Sequence, residues 1–268
     1  MTREFSFTQQ DFDSVRKMIY DHAGISLNPS KQEMVYSRLV KRLRANNLTA
    51  FSDYIALLQR GNRAELQAFV NALTTNLTFF FREEHHFKIL AEHVRPRKTP
   101  VSLWCSACST GEEAYSMAIT MADLYGTLTP PVRILASDVD TTVLEKAKSG
   151  IYDKAQTEKI PDEQFRKYFI EIPGKGAKIR PEIREMVAFR QINLLDEGWP
   201  VRGYFDAIFC RNVMIYFDKK TQAAILGKFA SLLQQDGLLF AGHSESFHHV
   251  PELFRLRGKT VYELARRP

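Results

Sequence analysis

The sequence predicts an α/β protein: a small all-helical domain, followed by an open, mostly parallel sheet that carries a small antiparallel insert. Three patterns predict this fold. Residues 8–74 show helical periodicity, residues 101–138 pass through strand, turn, helix and strand, and residues 165–192 hold two β-like runs around a glycine-rich turn. A chain of 268 residues is long enough to bury one large core and one small one.

Four helices are expected in the first domain, which we place at residues 1–74. Thr8 is placed to cap the first helix, Asn28-Pro29 opens the second, and Thr49 precedes the third. The pair Gly61-Asn62 breaks the periodicity before the fourth helix. These turn signals lie close to the helical runs, so the loops between the helices are expected to be short.

The second helix carries most of the charge imbalance of this domain. Val35, Leu39 and Leu43 recur every four residues and are expected to face the core, which leaves Lys and Arg on the other faces. Residues 1–98 hold 15 Lys and Arg against 10 Asp and Glu, whereas the rest of the chain holds 22 against 21. A solvated helix face and a docking surface for an acidic partner both fit this pattern. The candidate docking residues are Arg38, Lys41, Arg42 and Arg44.

Residues 75–98 form the expected linker and the first helix of the second domain. Three consecutive Phe between Thr78 and Arg82 are too apolar for a free linker, so we expect this segment to be buried between the domains. Asn76, Thr78 and Arg82 would then face whatever the junction encloses.

The strongest functional signal lies at residues 101–138. A strand at Val101–Cys105 runs into a turn of small residues that ends at Gly111, a helix follows, and a second strand ends in an acid. Ligands bind at the carboxyl ends of strands in open α/β sheets. Polar residues recur at the ends of the predicted strands, namely Glu113, Asp138, Asn193, Arg211 and Asn212.

The turn before Gly111 narrows the class of ligand. It contains one glycine and no following Lys, so it is neither a G-x-G-x-x-G motif nor a P-loop. Glu112 and Glu113 would repel a pyrophosphate at close range. An acid at the second strand end, Asp138, is placed to bind ribose hydroxyls. The ligand is therefore expected to carry ribose, adenine and a cationic centre, a description that S-adenosylmethionine fits.

The second half of the chain completes the predicted sheet. The insert at about 165–192 is expected to be a hairpin in which Tyr168–Ile172 pairs with Met186–Ile192 across a turn at 173–176. The remaining elements are a core strand at 204–210, a helix at about 219–234, a strand at 238–241 and two closing antiparallel strands near 253–256 and 260–264.

Composition and motifs argue against a membrane or secreted protein, a redox-active or zinc-binding cysteine pair, and a histidine metal site. No apolar run approaches a membrane span and the N-terminus lacks a secretory signal, so we expect a cytoplasmic protein without membrane insertion. Cys105 and Cys108 form a C-x-x-C, but Cys105 is placed inside a buried strand, so both are expected to be small apolar fillers. No metal site is expected from five of the seven histidines, His85, His86, His243, His248 and His249, which lie in two groups.

Six sequence blocks make the chain similar to a known family, the bacterial chemoreceptor glutamate O-methyltransferases (the CheR family). The blocks are NLTFFFRE at 76–83, STGEEAYS at 109–116, ASDVD at 136–140, FRQINLL at 189–195, CRNVMIYF at 210–217 and GHSES at 242–246. The resemblance implies a helical N-terminal domain and, at 99–268, a class I (Rossmann-like) methyltransferase domain with a small β-subdomain. It also implies methyl transfer from S-adenosylmethionine to receptor glutamates, with S-adenosylhomocysteine as the product.

The resemblance further implies roles for particular residues. Arg82 and Tyr216 would face the reacting end, Asp138 would hold the ribose, and Asn193 and Leu194 would lie near the adenine. The full set implied to line the cofactor site is Asn76, Thr78, Arg82, Glu113, Asp138, Asn193, Leu194, Arg211 and Asn212. The implied partners are the cytoplasmic helices of methyl-accepting receptors, with a receptor C-terminal tether at the β-subdomain. We expect the chain to act as a monomer.

Two other functions fit parts of the sequence. The sequence pI near 9.2 fits a nucleic-acid methyltransferase, but the strand end at Arg211-Asn212 lacks the Asp/Asn-Pro-Pro-aromatic motif of adenine-N6 enzymes. A non-catalytic adaptor that senses S-adenosylmethionine would need the same cofactor residues. Salt-dependent binding to DNA or RNA would favour the first alternative, and a failure of methyl transfer would favour the second.

Overall fold

The computed structural model describes residues 3–97 and 100–265. The first part is helical, and the predicted cap at Thr8 is confirmed, because its side chain and that of Asp11 form a reciprocal capping box. Asn62 caps the fourth helix in the same part of the chain. The four helices are α1 (Gln9–Ala23), α2 (Gln32–Ala45), α3 (Phe51–Gln59) and α4 (Arg63–Leu73), with a 3₁₀ turn at Pro29–Lys31 before α2.

A buried acid ties α2 to α4 inside the helical domain. Glu65 is 6% exposed and its carboxylate accepts from Arg42 Nε at 3.0 Å, from Arg42 Nη2 at 2.6 Å and from the Tyr54 hydroxyl at 2.8 Å. Burial raises the pKa of Glu65, but these donors outweigh it and the net pKa is lowered. A docking role for Arg42 stays a prediction, but its guanidinium is already bound to Glu65 within the domain.

Replacement of Arg42 is expected to destabilise the helical domain. Arg42→Met leaves the Glu65 carboxylate without its cation and should lower the free energy of unfolding by about 2 kcal/mol, since partial exposure limits the loss. The control is Arg44→Met on the same helix, where the partner Glu4 is at the surface and no measurable change is expected. Thermal unfolding followed by far-ultraviolet circular dichroism checks both variants, and equal midpoints would contradict this role for Arg42.

The second part of the chain is a seven-stranded mixed sheet with the order β6-β2-β1-β7-β8-β10-β9. The first five strands in this spatial order, from β6 to β8, are parallel to one another. The last two, β10 and β9, are antiparallel to their neighbours, as predicted for the closing strands. The strands of this sheet are β1 (Val101–Cys105), β2 (Val132–Asp138), β6 (Val187–Gln191), β7 (Phe205–Cys210), β8 (Leu233–Ala241), β9 (Phe254–Gly258) and β10 (Val261–Leu264).

Helices connect the strands of this part of the chain, and buried residues from some of them pack on both faces of the main sheet. They include α6, which follows the small-residue turn, and α11, which precedes β8. Their bounds are α5 (His85–Val94), α6 (Glu112–Tyr125), α7 (Thr141–Ser149), α8 (Lys154–Thr157), α9 (Asp162–Tyr168), α10 (Pro181–Glu185) and α11 (Lys219–Leu232). Within the described ranges, no helix combines the length and the apolar character that a membrane crossing requires.

The small antiparallel sheet is present, but the predicted hairpin pairing is wrong. It contains β3 (Ile151–Tyr152), β4 (Phe169–Ile172) and β5 (Gly176–Ile179) in the order β3-β5-β4. The run at 186–192 instead supplies β6, which pairs in parallel with β2 in the main sheet. An alternating apolar pattern fits either partner, and sequence alone does not distinguish them.

The three consecutive Phe of the linker are not all buried, which corrects the expectation for this segment. Phe80 is 6% exposed and packs edge-on against Tyr152 and Phe169 of the β-subdomain. Phe81 is half-buried, whereas Phe79 is 43% exposed. One aromatic ring therefore anchors the linker, and another is left at the surface.

Candidate active site

A cavity of about 460 Å³ lies where the carboxyl ends of the parallel strands meet the helical domain. Its size falls in the range of small-molecule sites. The helical domain, the linker and the loops after β1, β2, β6 and β7 all contribute to its walls. Ten predicted site residues line it together, namely Asn76, Thr78, Arg82, Glu113, Asp138, Asn193, Leu194, Arg211, Asn212 and Tyr216.

The turn after β1 brings backbone close to this cavity. Ser109 and Gly111 both have left-handed backbone conformations, with φ of 48° and 97°. A Cβ at Gly111 would lie 2.8 Å from the Cβ of Ala147 and 2.9 Å from the Tyr152 hydroxyl, so only glycine fits. Helix α6 begins at the next residue, and its first N–H groups therefore lie beside the turn.

Of the two consecutive glutamates, Glu113 lines the cavity. Its carboxylate accepts from Cys105 Sγ at 3.2 Å and lies 2.9 Å from Arg211 Nη1. Burial raises the pKa of Glu113, and the Arg211 cation partly offsets that rise. Glu112 accepts from the Thr110 hydroxyl at 2.6 Å and the Gln156 amide at 2.8 Å, so its role is structural.

Asp138 is the last residue of β2, and both oxygens of its carboxylate accept hydrogen bonds from the backbone. Oδ2 accepts from the backbone N–H of Ser109 at 2.8 Å, and Oδ1 accepts from that of Asp140 at 3.0 Å. Burial raises the pKa of Asp138 to about 6, although these N–H donors partly offset the effect. Each oxygen keeps a further lone pair, so the carboxylate can still accept from a pair of ligand hydroxyls.

The linker is fastened to the sheet beside Asp138. Asn76 Nδ2 and the Thr74 hydroxyl both donate to Asp140 Oδ2, at 2.8 and 2.7 Å. The Ser109 hydroxyl donates back to the Asn76 carbonyl at 3.0 Å. These bonds fix the start of the linker against the small-residue turn, so both line one cavity in a defined arrangement.

A buried arginine joins two acids at the end of β7. The Arg211 side chain is fully buried, with Nη1 2.9 Å from Glu113 Oε2 and Nη2 3.4 Å from Glu83 Oε2. Burial raises the pKa of Glu83, but Arg211 and His243 outweigh it and the net pKa is lowered. Two carboxylates therefore flank one guanidinium at the end of β7.

Arg82 and Tyr216 reach the cavity from separate parts of the chain. Arg82 is half-buried, donates from Nη1 to the Leu77 carbonyl at 3.0 Å, and lies 5.8 Å from the centre of the Phe79 ring. Tyr216 is half-buried, and its backbone carbonyl accepts from Ser26 N–H of the helical domain at 2.9 Å. The helical domain therefore helps to set the position of Tyr216.

Asn193 and Leu194 differ in how much of each side chain is free. Asn193 donates from Nδ2 to the His22 carbonyl at 2.6 Å and accepts from Leu195 N–H at 3.0 Å. Leu194 is 5% exposed and lines the cavity with an apolar side chain. Asn193 thus holds the domain junction, while Leu194 offers an apolar surface of the kind that an aromatic base would need.

Sequence reasoning did not identify one residue that shapes this site, Glu245. It is 5% exposed and its carboxylate accepts four backbone N–H groups, those of Gly242, Asn212, Val213 and Met214. Its only sequence signal is its place in the GHSES block. The four donors come together only in the folded chain, so spacing alone does not reveal them.

Two family models match almost the whole chain. The model described as CheR methyltransferase, SAM binding domain, matches residues 76–263, and the model described as CheR methyltransferase, all-alpha domain, matches residues 10–74. The chain belongs to the CheR methyltransferase family. It is an enzyme that uses S-adenosylmethionine as its methyl donor.

Curated proteins of this family are similar to the chain over nearly its full length. A chemotaxis protein methyltransferase of Salmonella typhimurium is 50% identical over 99% of this chain and 94% of its own. One from Escherichia coli is 48% identical over the same shares. Chemotaxis protein methyltransferase 2 of Pseudomonas aeruginosa is 49% identical, covering 98% of this chain and 96% of its own.

The donor groups around the cavity fit the methyl donor of the CheR family. Asp138 can accept two hydroxyl protons, and the Glu113–Arg211 pair presents both charge signs, which an amino-acid end requires. The acids near Arg211 suit a sulfonium cation. The turn at 106–111 contains no Lys or Arg that would hold a pyrophosphate.

The basic face of α2 is only partly available to a partner. Arg42 is committed to the buried ion pair, and Arg38 donates to two backbone carbonyls at the end of α4, at 3.0 and 2.7 Å. Arg44 pairs with Glu4 at the surface. Lys41 is exposed. Of the four predicted docking residues, Lys41 and Arg44 therefore present the most accessible charge.

The absence of a metal site stays a prediction. Glu83, His85 and His86 place possible ligand atoms within 4.8 Å of one another. His86 Nε2 lies 2.8 Å from the Lys259 carbonyl, and burial lowers the pKa of this imidazole to about 4. Arg211 Nη2 lies 3.4 Å from Glu83, so a second cation would meet repulsion in this place.

The three cysteines are buried and unpaired. Cys105 lies within β1, as predicted, and Cys108 lies in the turn that follows. Burial raises the pKa of both thiols well above the ordinary value, so they stay protonated and poorly nucleophilic. They act as small fillers of the core.

Proposed function

We propose that this chain transfers the methyl group of S-adenosylmethionine to glutamate side chains on the cytoplasmic helices of methyl-accepting chemotaxis receptors. The observation that carries the proposal is its near-full-length similarity to chemotaxis protein methyltransferases, at about 50% identity. The cavity supports it, because the residues implied for the cofactor all line one space. The product is a glutamyl methyl ester, which removes one negative charge from the receptor.

The chemistry requires positioning more than activation. S-adenosylmethionine supplies a methyl group made electrophilic by a sulfonium charge. A glutamate side chain has an ordinary pKa near 4.3, so at neutral pH it is already an anion and needs no general base. Arg82 donates one N–H to Leu77 and retains others that can bind and orient this carboxylate. Tyr216 restricts its position from another wall of the cavity.

The cofactor contacts are divided among the strand ends. In this proposal Asp138 accepts from the ribose hydroxyls, Leu194 contacts the adenine beside Asn193, and Glu113 with Arg211 lies at the amino-acid end. The linker residues close the remaining wall. The additional residues assigned to cofactor binding are Asn76, Thr78, Arg82 and Asn212.

We assign the helical domain, residues 1–74, to receptor docking and residues 99–268 to the reaction. The exposed cations of α2, chiefly Lys41 and Arg44, complement the acidic surface that a helix with several target glutamates presents. The ten predicted site residues line one cavity within a single chain, and we propose a monomer as the active form. We also propose a cytoplasmic location, where the receptor helices would be methylated.

Charge reversal on α2 is expected to weaken receptor docking without disturbing the cofactor. Lys41→Glu should raise the KM for receptor membranes roughly threefold to tenfold at low salt, and added salt should reduce the difference. Lys88→Glu on α5 is the control, since Lys88 is exposed and pairs only with an exposed acid. Equal KM values for Lys41→Glu and the wild type would contradict docking through α2.

The small sheet offers a place for the receptor C-terminal tether. Strand β4 is an edge of this sheet, with β5 as its neighbour, and Ile170 is 44% exposed there. An extended peptide can add to such an edge through main-chain hydrogen bonds. We propose that the tether binds along β4, and that receptors lacking the tether are methylated with a higher KM.

Methyl transfer from radiolabelled S-adenosylmethionine to membranes tests the proposed function. Membranes that carry methyl-accepting receptors should become labelled, with lower KM for tethered receptors, and membranes without receptors should not. Labelling of DNA or RNA in place of receptors would support the nucleic-acid alternative. Cofactor binding without any transfer would support the adaptor alternative.

A further inference from the structure

The segment after β7 carries three of the residues assigned to the reaction. Arg211, Asn212 and Tyr216 all lie within a few residues and all line the cavity. Apart from a 3₁₀ turn at Met214–Tyr216, this segment lies outside the helices and strands that surround it. Its conformation therefore depends on contacts from elsewhere in the chain.

One carboxylate binds the backbone of this segment. Glu245 Oε2 accepts from Asn212 N–H at 2.9 Å, and Oε1 accepts from Val213 at 2.9 Å and Met214 at 2.8 Å. Glu245 Oε2 also accepts from Gly242 N–H at 2.5 Å, which ties the segment to the end of β8. Three successive N–H groups that converge on an anion form a nest, which requires a left-handed residue. Asn212 is that residue, with φ of 58°.

The surroundings leave this segment no simple substitute for the carboxylate. Glu245 is 5% exposed, so water cannot readily replace it as an acceptor. A Cβ at Gly242 would lie 2.9 Å from the backbone nitrogen of Asn212 and 2.3 Å from its side-chain Nδ2, so only glycine fits beside this residue. Gln222 holds the other end by donating to the Met214 and Phe217 carbonyls at 2.9 and 3.1 Å.

We propose that Glu245 is a positioning residue for methyl transfer: its carboxylate fixes the segment at 211–216, and thereby sets where Arg211 and Tyr216 stand relative to the reacting groups. This inference rests on the proposed function. It adds a role for a residue that does not line the cavity and acts through the backbone of those that do.

The variant Glu245→Gln replaces one of the two acceptor oxygens with an amide nitrogen and keeps the shape of the side chain. Each carboxylate oxygen accepts two N–H groups, so an amide nitrogen in either place leaves two backbone donors unsatisfied and adds two N–H donors of its own. A shift of about 1 Å in positioning groups can cost about 100-fold in rate. We therefore expect kcat to fall about 10- to 100-fold, with the receptor KM changed by less than about twofold.

The opposite end of β7 provides a matched control. Asp206 is also a buried acid that accepts a backbone N–H, that of Ser102 at 2.7 Å, and it lies 2.8 Å from Arg97 Nη1. Asp206→Asn makes the same carboxylate-to-amide change in the same domain, away from the cavity. It should lower thermal stability but leave kcat near the wild-type value. Glu245→Asp keeps both oxygens on a shorter side chain, so its kcat should lie between those of Glu245→Gln and the wild type.

Amide hydrogen exchange tests, without any measurement of catalysis, whether Glu245 binds the backbone N–H groups of the segment at 211–216. In the cofactor-free protein the amides of Asn212, Val213 and Met214 should exchange about tenfold faster in Glu245→Gln than in the wild type, and at the wild-type rate in Asp206→Asn. Unchanged exchange or an unchanged kcat in Glu245→Gln would overturn the inference, as would an equal loss of kcat in Asp206→Asn. Failure of the wild type to methylate receptors would instead overturn the proposed function.

Discussion

Arg82→Ala is expected to lower the kcat of receptor methylation about 100-fold, with a much smaller change in the dissociation constant for S-adenosylhomocysteine. The guanidinium is assigned to orienting the acceptor carboxylate, so its loss misplaces a reacting group more than it weakens a bound cofactor. Initial rates at saturating receptor give kcat, and calorimetry with S-adenosylhomocysteine gives the affinity.

Two further variants test whether catalysis requires the planar pair of N–H donors on the Arg82 guanidinium. Arg82→Lys keeps the charge but loses the planar pair of donors, so it should recover only part of the rate. Arg95→Ala removes an exposed arginine just after α5 and should behave as the wild type. Wild-type turnover in Arg82→Ala would contradict the assigned role, whatever the cofactor affinity.

Asp138→Asn is expected to weaken S-adenosylhomocysteine binding about 10- to 100-fold. The amide has one oxygen instead of two, so it loses either a ribose acceptor or its bond to the backbone of Ser109 or Asp140. The double acceptor is the feature that a ribose diol requires. Titration calorimetry measures this change directly.

The pH dependence of binding provides a separate test of Asp138. Because burial raises its pKa to about 6, cofactor affinity should fall as the pH drops through 6 and level off above about 7. The sign for stability is opposite: the raised pKa means that the ionised carboxyl disfavours the folded state, increasingly so as pH rises from 3.8 to about 6. Asp138→Asn should flatten the affinity profile in this range, and an unchanged profile would contradict the assignment.

Local signals made much of the fold predictable. The Thr8 cap, the run from β1 to β2 and the closing antiparallel strands each depend on nearby residues, so sequence reasoning locates them to within a few positions. The hairpin was wrong because an alternating apolar pattern specifies a strand but not its partner. Residues 186–192 therefore joined the main sheet, parallel to β2, in place of the small one.

Residues of the candidate site could be predicted where a polar side chain lies at or soon after the end of a predicted strand. Asp138 is the last residue of β2, Glu113 lies in the first turn of α6 just after the turn that follows β1, and both line one cavity. Arg42 could not be assigned from sequence, because its partner Glu65 lies on another helix, 23 residues away. Glu245 was missed for a related reason: its four bonds are to backbone N–H groups, which every sequence contains, and only the fold brings them together.

The chemical form of the transferred methyl group shows whether the acceptor is a glutamate carboxylate. Receptor membranes labelled by this enzyme from radiolabelled S-adenosylmethionine would be treated with mild alkali, and the volatile label would be counted. A glutamyl methyl ester is hydrolysed under these conditions, so nearly all receptor-bound label should be released as methanol. Label that stays on the protein after alkali, as an N-methyl group would, contradicts transfer to a glutamate carboxylate.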